Sequence, residues 1–351
     1  MSGRKKAVAA VTALALMFVL TNCGGAGKDA DPHTAAFFAM DTFMEFRVYG
    51  EEDLPQKGED MILRLEERVS TTNPDSDIAR LNSRETETVS AETAELLGEA
   101  LELCRFTDGA LDISIYPVVR AWGFTMGEFE AGKRYPVPAV SVTDALLEQV
   151  DYRKIRQDGT RVTLPEGMEI DLGAVTKGYA GREVAEFLRE NGVTSALLNL
   201  GGNVQTVGAK PDGSPWRVAV QDPESDGYAG ILEIVDCAAV TSGGYQRYFV
   251  GTDGETYWHI MDPSTGRPAR NGLLSVTIVA EDGALCDALS TALFVMGAEK
   301  AEAFWRHTQT QPDGRAFGMV LVTEDREILV TPDLTFTPES GYTMRKLMLR
   351  K

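Results

Sequence analysis

From residue 195 onward the chain is written mostly as short β-type segments joined by turns. Apolar and β-branched runs at 195–200, 216–221, 231–235, 238–241, 247–250 and 274–280 are punctuated by Gly, Pro, Asp and Ser. Sequential strands with little helix between them favour an α+β fold with a largely antiparallel sheet. Residues 319–322 and 327–330 predict a last hairpin, 161–164 a short strand, and 37–49 a first strand. Apolar spacing at Met61, Ile62, Leu65 and Val69 predicts a helix over 57–69. A second helix is expected over 91–106 with Ser90 as N-cap, and a third over 174–190 closed by Asn191-Gly192. Asp282 is placed to cap a fourth over 284–296, while 125–140, rich in Gly, Pro and charge, reads as a surface excursion. No repeat or low-complexity linker follows residue 33, so a single domain over 37–351 is expected, its sheet covered by packed helices.

Ahead of that domain, Arg4, Lys5 and Lys6 precede an apolar run of 14 residues, Ala7 to Leu20. The run is short for a membrane span and right for a signal sequence. Leu20-Thr21-Asn22-Cys23-Gly24-Gly25 resembles a bacterial lipoprotein cleavage box, with Asn22 where Gly, Ala or Ser is usual. The expectation is a signal peptide over 1–22, a lipid on Cys23, a flexible tether over 23–36, and an exported protein held on the outer face of the cell membrane. A plain secretory signal is the alternative. Cys104, Cys237 and Cys286 form no C-x-x-C pair and read as small buried residues rather than a disulfide framework. The formal charge of −19 would become −22 on loss of the three basic residues of the leader. With no basic run beyond residue 6, nucleic acid is not expected as a partner. The only histidines are His33, His259 and His307, far apart, which excludes a zinc centre built on paired histidines.

Three segments carry chemistry. In Asp171-Leu172-Gly173-Ala174-Val175-Thr176-Lys177-Gly178 a strand end runs through a glycine turn into a helix. A helix start attracts phosphate and Lys177 adds charge one turn in, but a capping Asp and a solvated Lys account for the pattern equally well. Asp287 and Thr291, four apart on an otherwise apolar helix, put a carboxylate and a hydroxyl on one face. Oxygen ligands of this kind suit Mg²⁺, and a core carboxylate bonded to backbone donors is the competing reading. His259, in Trp258-His259-Ile260-Met261-Asp262-Pro263, is either a packed core residue or a base. The turns at Leu200-Gly201-Gly202-Asn203 and Thr241-Ser242-Gly243-Gly244 allow backbone to approach a ligand.

These segments fall in an order, from about Ala39 to Gly297, that resembles the FAD:protein FMN transferase (ApbE) family. Met40-Asp41-Thr42 resembles its M-G-T, and Ser70 to Asn82 its S-x-Y-x-x-x-S-E-[IL]-x-x-[LIF]-N segment. Asp108 to Ser114 with Pro117 and Trp122-Gly123-Phe124 resembles D-G-x-F-D-x-T…P-L…W-G-F. The Asp171 block resembles D-L-G-G-I-A-K-G-Y, and Thr241-Ser242-Gly243, His259 to Pro263 and Asp287 to Ala292 match T-S-G, H-I-[IL]-D-P and [AC]-D-A-x-[AS]-T-A. Leu200 to Asn203 matches N-x-G-G-[DN]. The resemblance implies a T-fold-related α+β architecture with FAD as substrate. It implies Mg²⁺ held by Asp287, Thr291 and, there being no side-chain oxygen, the Ala174 carbonyl. Implied FAD contacts are Met40, Thr72, Asp112, Ile113, Ser114, Asp171, Lys177 and Met261; Thr72 stands where the family has an aromatic residue. The implied reaction moves FMN from FAD to a Thr or Ser hydroxyl of an exported or membrane-bound acceptor flavoprotein and releases AMP. His259 is the expected base, with Asp287 or Asp262 as alternatives. The acceptor motif D-G-x-[ST]-G-A-[ST] is absent, so self-flavinylation is not expected. Hydrolysis of FAD to FMN and AMP, or flavin binding without turnover, are the competing functions.

Overall fold

The structure is a computed structural model, and it describes residues 31–125, 129–311 and 315–349. The leader, Cys23 and the tether up to residue 30 lie outside the described residues. The strand His33–Ala39 includes 33–36, so the folded domain begins earlier than the expected tether boundary.

A nine-stranded sheet organises the molecule. In spatial order its strands are His33–Ala39, Thr42–Val48, Ala196–Leu200, Asn203–Val207, Ala238–Gly243, Leu273–Ala280, Gly318–Thr323, Glu327–Val330 and Thr343–Lys346. All neighbours are antiparallel except the last pair. Successive side chains on a strand point to opposite faces, and both faces here are covered. Leu198, Val240, Val276, Ile278, Met319 and Leu321 point to the side packed by helices. Leu197, Val204, Ala239, Val279, Val320 and Val322 point to a second layer, the three-stranded sheet of Trp216–Gln221, Tyr228–Ile234 and Thr335–Pro338. Burial on both faces explains why these segments read as continuous apolar runs.

Helices Leu54–Val69, Ala91–Phe106, Gly173–Glu190, Gly283–Met296 and Ala298–Thr308 contribute to the helical side. The Ser90 cap is formed as expected, its hydroxyl accepting from Thr93 N at 3.3 Å. Asp282 likewise caps Gly283–Met296, accepting from Ala284 N at 2.9 Å. Helices Gly173–Glu190 and Gly283–Met296 cross at two glycines. A Cβ added to Gly178 would lie 2.0 Å from the Gly283 carbonyl oxygen, so only glycine lets the backbones approach this closely.

Several elements differ from the sequence reading. Residues 37–49 are a hairpin rather than one strand: Ala39 pairs with Thr42, and Met40 and Asp41 take φ of 50° and 57°. Two positive φ values give the type I′ turn that suits strand twist, but Met-Asp carries none of the usual glycine signal. Leu200-Gly201-Gly202-Asn203 closes another such hairpin and leads into Asn203–Val207, a strand the sequence reading did not contain. Helix Ala298–Thr308 and strands Thr335–Pro338 and Thr343–Lys346 were also missed, so 327–330 does not end the fold. Residues 125–140 include the short strand Arg134–Tyr135, which pairs in parallel with Tyr248–Gly251 in a small three-stranded sheet.

Candidate active site

The helix crossing at Gly178 and Gly283 brings Asp287 against the first turns of Gly173–Glu190. Asp287 is 5 % exposed. Its Oδ2 accepts from Gly178 N at 2.9 Å and its Oδ1 from the Asn203 amide at 3.1 Å. In a regular helix the Gly178 N–H would serve the Ala174 carbonyl four residues back, so Asp287 competes with Ala174 for that donor. Burial pushes the Asp287 pKa up; the Lys177 charge, the Gly178 N–H and the Asn203 amide oppose the rise. Each carboxylate oxygen accepts one hydrogen bond and keeps a further lone pair.

Thr291 lies one turn on. The Ser290 hydroxyl donates to the Asp287 carbonyl at 2.8 Å, so its proton is committed. Ser242 sits 2.8 Å from Ser290 Oγ and must therefore donate to it. Thr291 Oγ1, 3.3 Å from Ser242 Oγ, is then the donor to Ser242, which leaves both Thr291 lone pairs free. No three His, Cys, Asp or Glu side chains form a metal-ligating group among the described residues. One buried carboxylate, a hydroxyl with free lone pairs and a carbonyl form a hard-oxygen set. Such donors fit Mg²⁺, which keeps waters in its remaining positions. A divalent cation would also supply the charge that a buried carboxylate lacks.

Asp171 stands at the mouth of the same helix. Its Oδ1 accepts from Gly173 N at 2.6 Å and its own N–H donates to the Ile113 carbonyl at 2.9 Å. Asn82 clamps the preceding peptide, donating to Ile170 O and accepting from Ile170 N, both at 2.8 Å. Burial raises the Asp171 pKa against the Gly173 N–H and the charges of Arg247 and Lys177. Lys177 is half-buried and has no ion pair among the described residues.

His259 packs edge-on to Phe124, ring centroids 6.3 Å apart. The Arg247 carbonyl receives its backbone N–H at 3.1 Å and lies 3.3 Å from Nδ1. A carbonyl only accepts, so Nδ1 carries the proton and Nε2 holds a free lone pair. Burial lowers its pKa to about 4, with Arg247 and Lys177 pushing the same way and the Arg247 carbonyl opposing.

The remaining expected contacts separate into two groups. Met40 lies on the tip of the first hairpin, its N–H held by Glu66 Oε1 at 2.7 Å. Thr72 is exposed, in a turn built on Ser70, whose Oγ lies 3.2 Å from its own hydroxyl. Asp112, Ile113 and Ser114 serve the scaffold. Both Asp112 oxygens are used, Oδ1 by Ser114 N and Oγ at 2.9 and 2.6 Å and Oδ2 by Tyr152 N at 3.1 Å. The Ser114 hydroxyl also accepts from Asp151 N, and Ile113 lends its carbonyl to Asp171. The Met261 side chain is buried with Val118, Trp122, Phe124 and Phe249. The sequence reading missed Asn203, Ser242, Ser290 and Arg247 as site residues. Asn203 and Ser242 were visible as members of glycine turns; Arg247 carried no signal at all in a strand-like run.

The model of the ApbE family matches residues 40–313. A FAD:protein FMN transferase of Vibrio cholerae is 30% identical over 301 residues, covering 84% of this chain and 89% of that protein. One from Klebsiella pneumoniae is 32% identical, covering 83% and 90%. The crystal structure of an ApbE protein from Thermotoga maritima superposes with a TM-score of 0.74 at 31% identity, over 88% of this chain and 97% of that one. The apo flavinyl transferase ApbE of Pseudomonas stutzeri gives 0.71 at 27%, over 88% and 95%. With the family match spanning most of its length and relatives of this identity along nearly their whole chains, the protein belongs to the ApbE family.

Proposed function

We propose that the protein transfers FMN from FAD to a Thr or Ser hydroxyl of an acceptor flavoprotein and releases AMP. The observation that carries this reading is the pairing of a hard-oxygen cluster, Asp287 and Thr291, with Lys177 and a neutral His259. Phosphoryl transfer needs charge neutralisation and positioning more than covalent chemistry from the protein. Mg²⁺, held by Asp287, Thr291 and the Ala174 carbonyl, would neutralise charge on the FAD diphosphate. Lys177 adds charge from the same helix turn. Asp171, fixed by Gly173 and Ile113, shapes the entry, and Met40 at the hairpin tip offers an apolar contact for the flavin ring. The Nε2 of His259 takes the hydroxyl proton as the acceptor oxygen attacks the FMN phosphorus and the bond to AMP breaks. The resulting link is a phosphoester. An anchor at Cys23 would place the enzyme beside exported or membrane-bound acceptors, and it belongs to the same proposal.

The test incubates the protein with FAD, Mg²⁺ and a candidate acceptor domain, then reads covalent flavin on a denaturing gel and AMP in solution. Equal amounts of both are expected. AMP without covalent flavin would assign hydrolysis instead, and FAD binding with neither product would leave a binding protein.

A further inference from the structure

Arg247 enters the site through its carbonyl and its charge, and its guanidinium is the odd one among the half-buried arginines of the described residues. Among the described residues the other half-buried arginines, Arg47, Arg68, Arg80, Arg182, Arg306 and Arg315, each hold a carboxylate. Arg247 is half-buried as well, but its side chain has no ion pair, hydrogen bond or aromatic face among the described residues. A guanidinium withdrawn from water without a counter-charge is costly, and the cost is recovered when an anion arrives.

Its position says where the anion goes. The charge of Arg247 is felt by Asp171 and by His259, the same two groups that feel Lys177. Neither cation is ion-paired with Asp171, whose short hydrogen bond goes to Gly173 N at 2.6 Å instead. Two unpaired cations on different elements, a helix start and the segment before Tyr248–Gly251, thus act on the same two groups. The Arg247 carbonyl also fixes His259 through both its N–H and Nδ1, at 3.1 and 3.3 Å, which ties this cation to the base.

We propose that Arg247 is a further substrate-binding catalytic residue whose guanidinium grips the diphosphate of FAD at the phosphoryl group that is transferred. This rests on the transfer reading above. A planar fork of donors suits phosphate oxygens, and it complements the point charge of Lys177. As the acceptor oxygen forms its bond to the FMN phosphorus, His259 receives the hydroxyl proton. The P–O bond to AMP breaks with its electron pair on AMP, and Arg247 stabilises the charge spread over the phosphoryl oxygens.

The test compares Arg247→Gln and Arg247→Lys with wild type, and uses Arg267→Gln, at an exposed arginine, as the charge control. Binding of FAD and of riboflavin, which lacks the diphosphate, is measured by flavin fluorescence, and transfer by covalent flavin. Arg247→Gln should weaken FAD binding by about tenfold or more, leave riboflavin binding unchanged, and lower kcat/KM for transfer by about 10²-fold. Arg247→Lys should recover part of both losses, and Arg267→Gln should match wild type. FAD affinity within about twofold of wild type in Arg247→Gln, or equal loss of FAD and riboflavin, would overturn the assignment. A wild-type protein that binds FAD but forms neither covalent flavin nor AMP would sink the transfer reading, while the FAD–riboflavin comparison would still decide whether Arg247 grips the diphosphate.

Discussion

The His259 imidazole keeps its proton on Nδ1, 3.3 Å from the Arg247 carbonyl, and burial lowers its pKa to about 4. The ordinary value is about 6.5, so the shift widens the window in which Nε2 is a free base. Above about pH 4 the ring is neutral and competent; below it the ring is charged and cannot take a proton. The chain has three histidines, so the His259 ring resonance can be assigned by its loss in His259→Gln. An NMR titration is expected to place its midpoint near pH 4, and a midpoint at the ordinary imidazole value would contradict the half-buried, carbonyl-bonded ring. At this scale the sequence was informative where chemistry needs a rare residue type. Asp287, Thr291, Lys177 and His259 stood out because each is polar in an apolar or glycine-marked run. Asp112 and Ser114 were expected as FAD contacts only through the family resemblance, and in the fold their polar atoms bond each other, Tyr152 N and Asp151 N. A sequence shows that a carboxylate is placed in a core; it does not show whether backbone donors have already claimed it.

Two glycines set the distance between the helices that carry the site. A methyl at Gly178 would meet the Gly283 carbonyl oxygen at 2.0 Å and the Asp287 Cβ at 2.7 Å, neither of which can rotate away. Gly178→Ala should therefore separate the helices and cost about 1–3 kcal/mol, outweighing the roughly 1 kcal/mol gained from helix propensity. Gly98→Ala is the matched control. On helix Ala91–Phe106 its Cβ would meet only the Gln157 side-chain amide, no nearer than 3.6 Å, so the propensity gain should stand and stability should rise. Denaturant midpoints of the two variants check the pair; a neutral or stabilising Gly178→Ala would show that the crossing has slack. The elements themselves were legible where local signals agreed. Ser90 and Asp282 marked helix starts and Asn191-Gly192 a helix end because capping is a local interaction. The Met40-Asp41 turn was not legible, since its positive φ values are imposed by strand pairing on both sides and by Glu66 on a helix. Strand Asn203–Val207 was missed because its polar Asn203, Gln205 and Thr206 break the apolar pattern, and the inward-pointing Asn203 is there to hold Asp287.

The candidate site residues come from two hairpin tips, the crossing helices and the edge of the small aromatic cluster. Gly201 packs against Thr42, a Cβ there falling 2.0 Å from the Thr42 hydroxyl, so the tip that carries Met40 is locked to the turn that leads into Asn203. Local charge at this junction matters because the chain as a whole is acidic, at −19. A dianionic diphosphate gains little from the surface at large, and on the proposed reading a divalent cation with Lys177 and Arg247 would provide the attraction where it is needed. The α+β class and the antiparallel sheet followed from strand spacing alone. The order of strands in that sheet, and the layer that covers its second face, did not, because pairing between segments far apart in sequence leaves no local trace. The central claim is that Asp287 organises metal-assisted transfer of FMN. Single-turnover formation of covalent flavin on an acceptor domain, with saturating FAD and Mg²⁺, tests it in wild type and Asp287→Asn side by side. Loss of about 10²-fold or more in the variant, with its fold shown intact by circular dichroism, is the predicted result. A variant that flavinylates the acceptor at the wild-type rate would contradict it.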